Sequence, residues 1–425
     1  MSSTHPNGST GLPARADSPL ALRHIPFTFN NAEPENSARQ LVQEYSPQWK
    51  NEEGEICFKR FTDGITNVLI KATKKRPGKS DLEVDRDAIL MRAYGKGTDV
   101  LIDRERELRA HNLLASRGLA PPLLARFDNG FMYGFIAGHV CSAQDLRKPE
   151  IYRQVAKRLG QWHASLPISA ITATPSLDAN PHANAEQKHL APTKDGQSTR
   201  PYPNTWTVLQ QWIEALPEST EKEKERKKVL NVELEEMSAK LGNTPGLEAG
   251  REYVFVHHDL LCGNVIVDLA SSEKEKPVNF IDYEYATPGN AAFDIANHLA
   301  EWAGYDCEHS AVPTKSQRLE FLKHYVGAYR YHSISDDDND ITMEIDFQKD
   351  IEQLYDQIEL FRGMPGFFWG VWALIQAMIS QIDFDYASYA ELRLSEYWAW
   401  KEETDGSRKR EGREMHAREK KWQSE

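Results

Sequence analysis

Along the first 137 residues, short apolar runs of strand type alternate with polar turns. Ile56–Phe61, Asn67–Ala72 and Ala88–Tyr94 are rich in β-branched and aromatic residues and predict strands, and Leu123–Phe127 and Gly130–Ile136 predict a hairpin about Asp128 and Asn129. Asp103–Gly118 instead repeats its apolar positions at helical spacing, with Leu108, Leu113 and Leu114 inward and Gly118 as the stop. Beyond residue 137 the helical period dominates, over Glu150–Ser165, Trp206–Leu216, Glu218–Leu241, Ser316–Tyr331, Phe347–Gly363 and Gly366–Ile382. Tyr253–Trp302 breaks that rhythm. Two apolar runs flank a polar loop over Tyr253–Asp268, a third short run spans Val278–Tyr285, and a helix is predicted over Phe293–Trp302.

The pattern implies an α+β chain with two lobes: a β-rich N-terminal lobe over residues 46–137 and a mostly helical lobe over 138–400. Residues 1–45, rich in Ser, Pro and Asn with only Ile25–Phe29 resembling a strand, are expected as a flexible tail. An exposed insertion is expected over about 168–204, where Ala, Pro, Thr, Asn and Gln accumulate. Residues 401–425 alternate acidic and basic side chains and are expected as an exposed terminal helix, and the charged stretch Glu218–Leu241 as a solvated face.

A formal charge of −13 argues against a nucleic-acid partner. The four cysteines, Cys57, Cys141, Cys262 and Cys307, have neither metal-ligand nor disulfide spacing, so a reducing compartment is expected. No basic segment followed by an apolar one opens the chain, and the longest apolar run, Phe367–Ile379, is shorter than the ~20 residues a membrane span needs. A cytoplasmic protein without an integral membrane segment is expected. The acidic stretch Ser335–Asp340 lacks the glycine and terminal glutamate of a calcium loop and reads as solvated.

Candidate chemistry concentrates in the 253–302 stretch. The spacing His257-x-Asp259-x-x-x-x-Asn264 is that of a phosphoryl-transfer loop, in which the carboxylate takes the acceptor hydroxyl's proton and the amide oxygen reaches a magnesium ion on the phosphates. Asp282, closing the Val278 run, would supply the harder charged oxygen that magnesium prefers. In the N-terminal lobe, the turn Thr62–Asn67 brings Thr62, Gly64, Thr66 and Asn67 to a place where backbone amides can approach phosphate oxygens. Arg92 on the next strand and Glu107 on the following helix fit the basic–acidic pair that grips those phosphates. Taken singly, each of these residues reads as an ordinary turn or surface charge; their order along the chain is what points to chemistry.

These stretches together resemble the choline/ethanolamine kinase family. The resemblance rests on Gly64-Ile-Thr-Asn67, Leu90-Met-Arg-Ala-Tyr-Gly95, Val256–Ile266, Phe280-Ile-Asp-Tyr-Glu-Tyr285, Phe293–His298 and Phe367–Trp372, in family order over about residues 50–400. It implies a two-lobed protein-kinase-like fold, ATP and Mg2+ as cofactors, and transfer of the γ-phosphate to a small amino alcohol. It further implies Asp259 as base, Asn264 and Asp282 as metal ligands, Arg92 and Glu107 as the phosphate grip, and Tyr285, Glu301, Trp369 and Trp372 as the lining of an ammonium pocket. Aromatic faces attract a cation within about 6 Å, although two tryptophans at that spacing on an apolar helix are more often core. His257, Glu284 and Asp294 are assigned structural roles.

Asp259-Leu-Leu-Cys262 is similar to the ethanolamine branch, which makes ethanolamine the expected substrate on the way to phosphatidylethanolamine, with choline or dual use as the alternative. Another small-molecule phosphotransferase and an inactive kinase-like binding module are the further alternatives, and a homodimer is left open. Two departures from the family pattern stand out: His258 where Asn is usual, and Pro288-Gly289 in place of an aromatic-rich loop, the latter expected to reshape the substrate mouth.

Overall fold

The strand-type runs of the N-terminal region pair into one sheet. The computed structural model describes residues 22–61, 67–95, 97–172, 200–333, 346–380 and 382–425, so Thr62, Gly64, Thr66, most of the expected insertion and the acidic stretch 335–340 lie outside the described residues. Strands β1 (His24–Ile25), β2 (Glu55–Phe61), β3 (Asn67–Lys75), β4 (Ile89–Tyr94), β5 (Leu123–Phe127) and β6 (Gly130–Gly134) lie in the order β1-β5-β6-β4-β3-β2. Every pairing is antiparallel except β1 with β5.

Within the described residues 22–45, the expected tail is corrected by helix α1 (Pro34–Tyr45), whose Leu41 and Val42 are fully buried in the core of this sheet. The turn at Asp128 and Asn129 completes the attachment. Asn129 accepts from the Phe29 amide and donates to its carbonyl, and Asp128 accepts from Thr28, so residues 24–29 are held by polar side chains that composition alone assigns to a loop. Short helices α2 (Gln48–Asn51) and α3 (Asp81–Arg86) follow, the latter closed by a Ser80/Glu83 capping box. Helix α4 (Arg104–Ser116) starts where Asp103 accepts from the Arg106 amide.

The chain leaves the sheet near Gly138, where a side chain would meet the Val267 carbonyl at 2.4 Å, so only glycine permits this close approach. It enters a second sheet as β7 (His139–Val140), in the order β10-β9-β7. Helices α5 (Pro149–Ser165), α6 (Ser169–Thr172), α7 (Thr205–Glu214) and α8 (Glu221–Leu241) precede strands β8 (Val254–Val256), β9 (Val265–Val267), β10 (Val278–Phe280) and β11 (Thr287–Gly289). Then come α9 (Ala291–Ala300), α10 (Lys315–Ser333), α11 (Phe347–Phe361), α12 (Met364–Ile379), α13 (Tyr386–Asp405), α14 (Ser407–Arg410) and α15 (Ala417–Trp422). α12 is buried almost all round, as the continuous apolar run Phe367–Trp372 requires. α8 is not simply a solvated face: Leu230, Leu234, Met237 and Glu233 are buried, with Glu233 bonded to Tyr397 and Lys401. Among the described residues no helix is long and apolar enough to cross a membrane.

The C-terminal segment also departs from its expectation. Trp422 is fully buried, its indole donates to Glu359 at 2.7 Å, and Arg318 lies over its ring while donating to its carbonyl. Alternating charge looked like solvation because partners more than fifty residues away are invisible in a linear pattern. Trp422→Ala should therefore cost about 3 kcal/mol, the range for deleting a buried aromatic. A change in urea-unfolding free energy below ~0.5 kcal/mol would show this docking to be marginal.

Candidate active site

Two loops and one helix face assemble the site. β8 delivers Val256 into a turn in which His258 takes a left-handed conformation (φ 66°), tolerated by His more readily than by most side chains. The carboxylate of Asp294, on the first turn of α9, holds this turn. It accepts from the His257 amide at 2.8 Å, the His258 amide at 2.9 Å and the His163 ring at 3.0 Å. Burial raises the Asp294 carboxyl, but the His163 hydrogen bond and the surrounding imidazoles outweigh it and hold the group far below the usual carboxylate range.

The turn presents Asp259, only 8% exposed. Asn264 donates to the Asp259 carbonyl at 2.6 Å and to its carboxylate at 2.9 Å. With the amide nitrogen committed there, the Asn264 side-chain oxygen faces the other way. β9 and β10 pair Val265 with Phe280, and the Ile281 amide donates to the Asn264 carbonyl at 3.1 Å. Ile281 therefore stands opposite Asn264, and Asp282, left-handed at φ 65°, follows one residue beyond it. His257 ties the two loops through a hydrogen bond between its ring and the Ile281 carbonyl at 3.1 Å.

Arg92 crosses from the N-terminal sheet into this site. It pairs with Glu107 at 3.0 Å, as expected, and also with Asp282 at 2.7 Å and with Glu284. Glu284 further accepts from Asn67 at 2.8 Å and lies 3.8 Å from Arg104, which also meets Glu107 at 3.1 Å. Sequence reasoning missed Arg104, although its spacing from Glu107 (i, i+3) was available. Two arginines face four carboxylates here, Asp259, Glu107, Asp282 and Glu284. The surplus of negative charge beside an outward amide oxygen suits a divalent cation. In keeping with it, burial and then the charges of Asp282, Glu284 and Glu301 push the Asp259 carboxyl well above its usual range.

Tied to the same turn through the His258 ring and Asn297, Tyr285, Trp369 and Trp372 form a packed aromatic group. The Trp372 indole donates to the Tyr285 hydroxyl at 2.9 Å, the Trp369 ring meets Tyr285 edge-on at 6.0 Å, and the two tryptophans meet edge-on at 5.4 Å. Glu301 follows the last residue of α9 and pairs with Arg393 at 3.4 Å. Sequence reasoning missed Tyr386, edge-on to Trp372 at 5.8 Å, and Tyr305, half-exposed and 6.1 Å from Tyr389. It also missed Asn297 and His298. Asn297 donates to the His258 carbonyl and accepts from the Trp369 indole at 2.9 Å, and the His298 ring bonds the Leu260 carbonyl at 2.8 Å. A polar stripe on a helix predicted to be buried was the available signal.

One expectation fails. Pro288-Gly289 does not shape a mouth: both residues are buried in β11, paired with β8, and a side chain on Gly289 would meet the Thr205 hydroxyl at 2.3 Å. His258 is instead a strut, its ring bonded to the Tyr285 carbonyl at 2.8 Å and to Thr205 at 2.9 Å and stacked on Phe368 at 5.2 Å.

The comparisons with known proteins bear on this geometry. Residues 58–398 match the family model described as choline/ethanolamine kinase. The chain belongs to the choline/ethanolamine kinase family. It is 32% identical over 398 residues to a probable ethanolamine kinase of Nematostella vectensis, covering 90% of this chain and 98% of that one. It is 31% identical over 366 residues to ethanolamine kinase 2 of Mus musculus, covering 85% and 80%. Among solved structures, Plasmodium vivax ethanolamine kinase superposes with a TM-score of 0.63 at 26% identity, covering 86% of this chain and 88% of that one. The two-lobed protein-kinase-like fold follows, and the protein is a kinase.

Burial around this kinase site makes the fold acid-sensitive. It pushes the His111, His258 and His298 rings down to about 4, further than their carbonyl hydrogen bonds raise them. The folded protein keeps these rings neutral while the unfolded chain protonates near 6.5, so stability present above pH 6.5 is lost as pH falls toward 4. Each ring contributes up to about 1.4 kcal/mol per pH unit. Urea midpoints should drop steeply between pH 6.5 and 5, before free carboxylates titrate; a flat profile over that window would contradict the assignment of neutral buried rings.

Proposed function

We propose that this kinase transfers the γ-phosphate of ATP to the hydroxyl of ethanolamine, in the cytoplasm, giving phosphoethanolamine. The observation that carries the reading is that Asn264 holds Asp259 beside the strand end that carries Asp282, while Asn297, four residues before Glu301, ties the Trp369 ring of the Tyr285, Trp369 and Trp372 group to the same turn. A short amino alcohol bridges two such features, its ammonium at one end and its nucleophilic oxygen at the other.

In this mechanism Asp259 takes the hydroxyl proton, and the freed oxygen attacks the γ-phosphorus as the bond to the β–γ bridging oxygen breaks. Asp259 is oriented for this by the two Asn264 hydrogen bonds, so the reactants meet in an arranged pair rather than by collision. Arg92, steered by Glu107, grips the phosphates from the N-terminal lobe, with residues Thr62, Gly64, Thr66 and Asn67 as the nucleotide loop. Magnesium held by the Asn264 oxygen and Asp282 would neutralise phosphate charge. His257, Glu284 and Asp294 hold the two loops in place.

Ethanolamine rather than choline is favoured by the named relatives and by the pocket's chemistry. A primary ammonium donates three N–H bonds and a quaternary one none, so a buried carboxylate rewards the former beyond ring contact alone.

Asp259→Ala should lower kcat by roughly 10²–10⁴-fold while ATP affinity, followed by calorimetry, changes only a few-fold. Near-normal turnover in that variant would reject the base assignment. With the unmodified protein, kcat/KM for ethanolamine should exceed that for choline at least about tenfold. Equal values would favour the dual-substrate reading, and turnover of an aminoglycoside alone would favour a different phosphotransferase.

A further inference from the structure

The Glu301 carboxylate is the near end of a row of alternating charges that runs away from the pocket. Arg393 on α13 places two guanidinium nitrogens 3.4 Å from one Glu301 oxygen. The same Arg393 lies 3.2 Å from Glu396. Glu396 then bonds the His309 ring at 2.8 Å and lies 3.9 Å from Arg418 on α15. Arg418 reaches Glu419 at 3.3 Å, and Glu419 is closed by Arg362 at 3.0 Å. Arg393, Glu396, Arg418 and Glu419 are each no more than 3% exposed.

Buried charges of this kind are not held for their own stability, since replacing such a set with packed apolar side chains is often neutral or favourable. Water does not screen them, so each fixes the position of the next. The set is also rigid at its far end. Arg418 donates to the Arg362 carbonyl at 2.8 Å, Trp422 is clamped by Arg318 and Glu359, and the Ser424 carbonyl accepts from the Lys315 amide at 2.9 Å. Exposed charges of α15 such as Lys420, paired with Glu414, take no part in the row.

We infer that α15 is a working part of the substrate site: through Arg418, Glu396 and Arg393 it fixes the pose of Glu301, which makes Arg393 and Arg418 positioning residues for the ammonium-binding carboxylate. The inference rests on the reading of Glu301 as the substrate's counter-charge. Nucleotide binding, served by Arg92 and the N-terminal lobe, stands outside the row. Substrate affinity should therefore respond to α15 while ATP affinity does not.

The test is a double-mutant cycle in the full-length protein between Arg418→Met and Glu301→Gln, reading KM for ethanolamine and for ATP, with calorimetric ethanolamine Kd for slow variants. Arg418→Met should raise the ethanolamine KM about tenfold and leave the ATP KM within about twofold, whereas Lys420→Ala changes neither. In the Glu301→Gln background the same Arg418→Met change should add less than about twofold, because the carboxylate it acts through is gone. A full tenfold effect persisting in that background, or equal changes in both KM values, would overturn the inference in favour of general destabilisation. If Arg418→Met does not fold, Arg393→Lys enters the same cycle with the same expected coupling. Absence of ethanolamine turnover in the unmodified protein would instead overturn the functional reading, and it is seen before any variant is made.

Discussion

The Asp294 carboxylate is the constraint on which the site depends. It is fully buried, and three N–H donors converge on its two oxygens. Two of them are consecutive backbone amides of a turn that includes a left-handed His258, a conformation that costs an ordinary residue ~1–2 kcal/mol. Charge-assisted hydrogen bonds are about twice as strong as neutral ones, enough to offset that cost. Without them the turn has no reason to aim Asp259 at the Asp282 strand end. The same helix repeats the service at its own period. Asp294, Asn297, His298 and Glu301 occupy i, i+3, i+4 and i+7, one face of α9. Three of them satisfy backbone groups of residues 257, 258 and 260, and the fourth, Glu301, pairs with Arg393. One helix face thus sets the distance between Asp259 and Glu301, and Asn297 adds the Trp369 indole to the same frame.

The lobes meet by a different logic, that of a shared cation. Arg92 is 3% exposed and contacts carboxylates from both lobes, Glu107 on one side and Asp282 with Glu284 on the other. A buried arginine is costly to desolvate, and only several well-placed carboxylates offset it. On the proposed reading those carboxylates also belong to the phosphate and metal side of the site, so the joint between lobes and the nucleotide site would be one cluster. Phosphate oxygens arriving there would compete for Arg92 with Asp282 and Glu284, and a cation on Asp282 would relieve the same carboxylates. Nucleotide binding and lobe geometry would then be coupled through this one guanidinium.

What the linear chain disclosed follows from where each interaction is encoded. The strands and long helices were legible because their signal is periodic and local, and Asp259, Asn264, Asp282, Arg92 and Glu107 because motif spacing reflects loop geometry. Helix α1 was hidden in a polar segment, although Pro34 at its first turn and the adjacent Leu41 and Val42 carried the information. β11 was hidden because Pro-Gly reads as a loop, yet a two-strand ladder offers proline an edge position. Arg393, Arg418 and Tyr386 were illegible for a firmer reason: the partners that place them, Glu301, Glu396 and Trp372, lie on other elements fourteen or more residues away in sequence. A run of mixed charge such as 401–425 encodes solvation and burial equally well until its partners are known, and here its one tryptophan, Trp422, was the strongest hint of docking.

On the proposed reading, the division between ring and carboxylate decides what the pocket accepts. Tyr285, Trp369 and Trp372 offer faces and edges that attract any ammonium, methylated or not, and their own polar atoms are already engaged with one another and with Asn297. Aromatic contact therefore sets affinity for positive charge without distinguishing the number of N–H bonds. Glu301 is different, since a buried carboxylate left facing methyl groups keeps its desolvation cost without a compensating hydrogen bond. Burial already pushes its carboxyl up, opposed chiefly by Arg393, so its ionisation rests on a partner drawn from α13 rather than on solvent. Discrimination between amino alcohols consequently resides less in the aromatic lining that marks the family than in how firmly one carboxylate is held charged and in place.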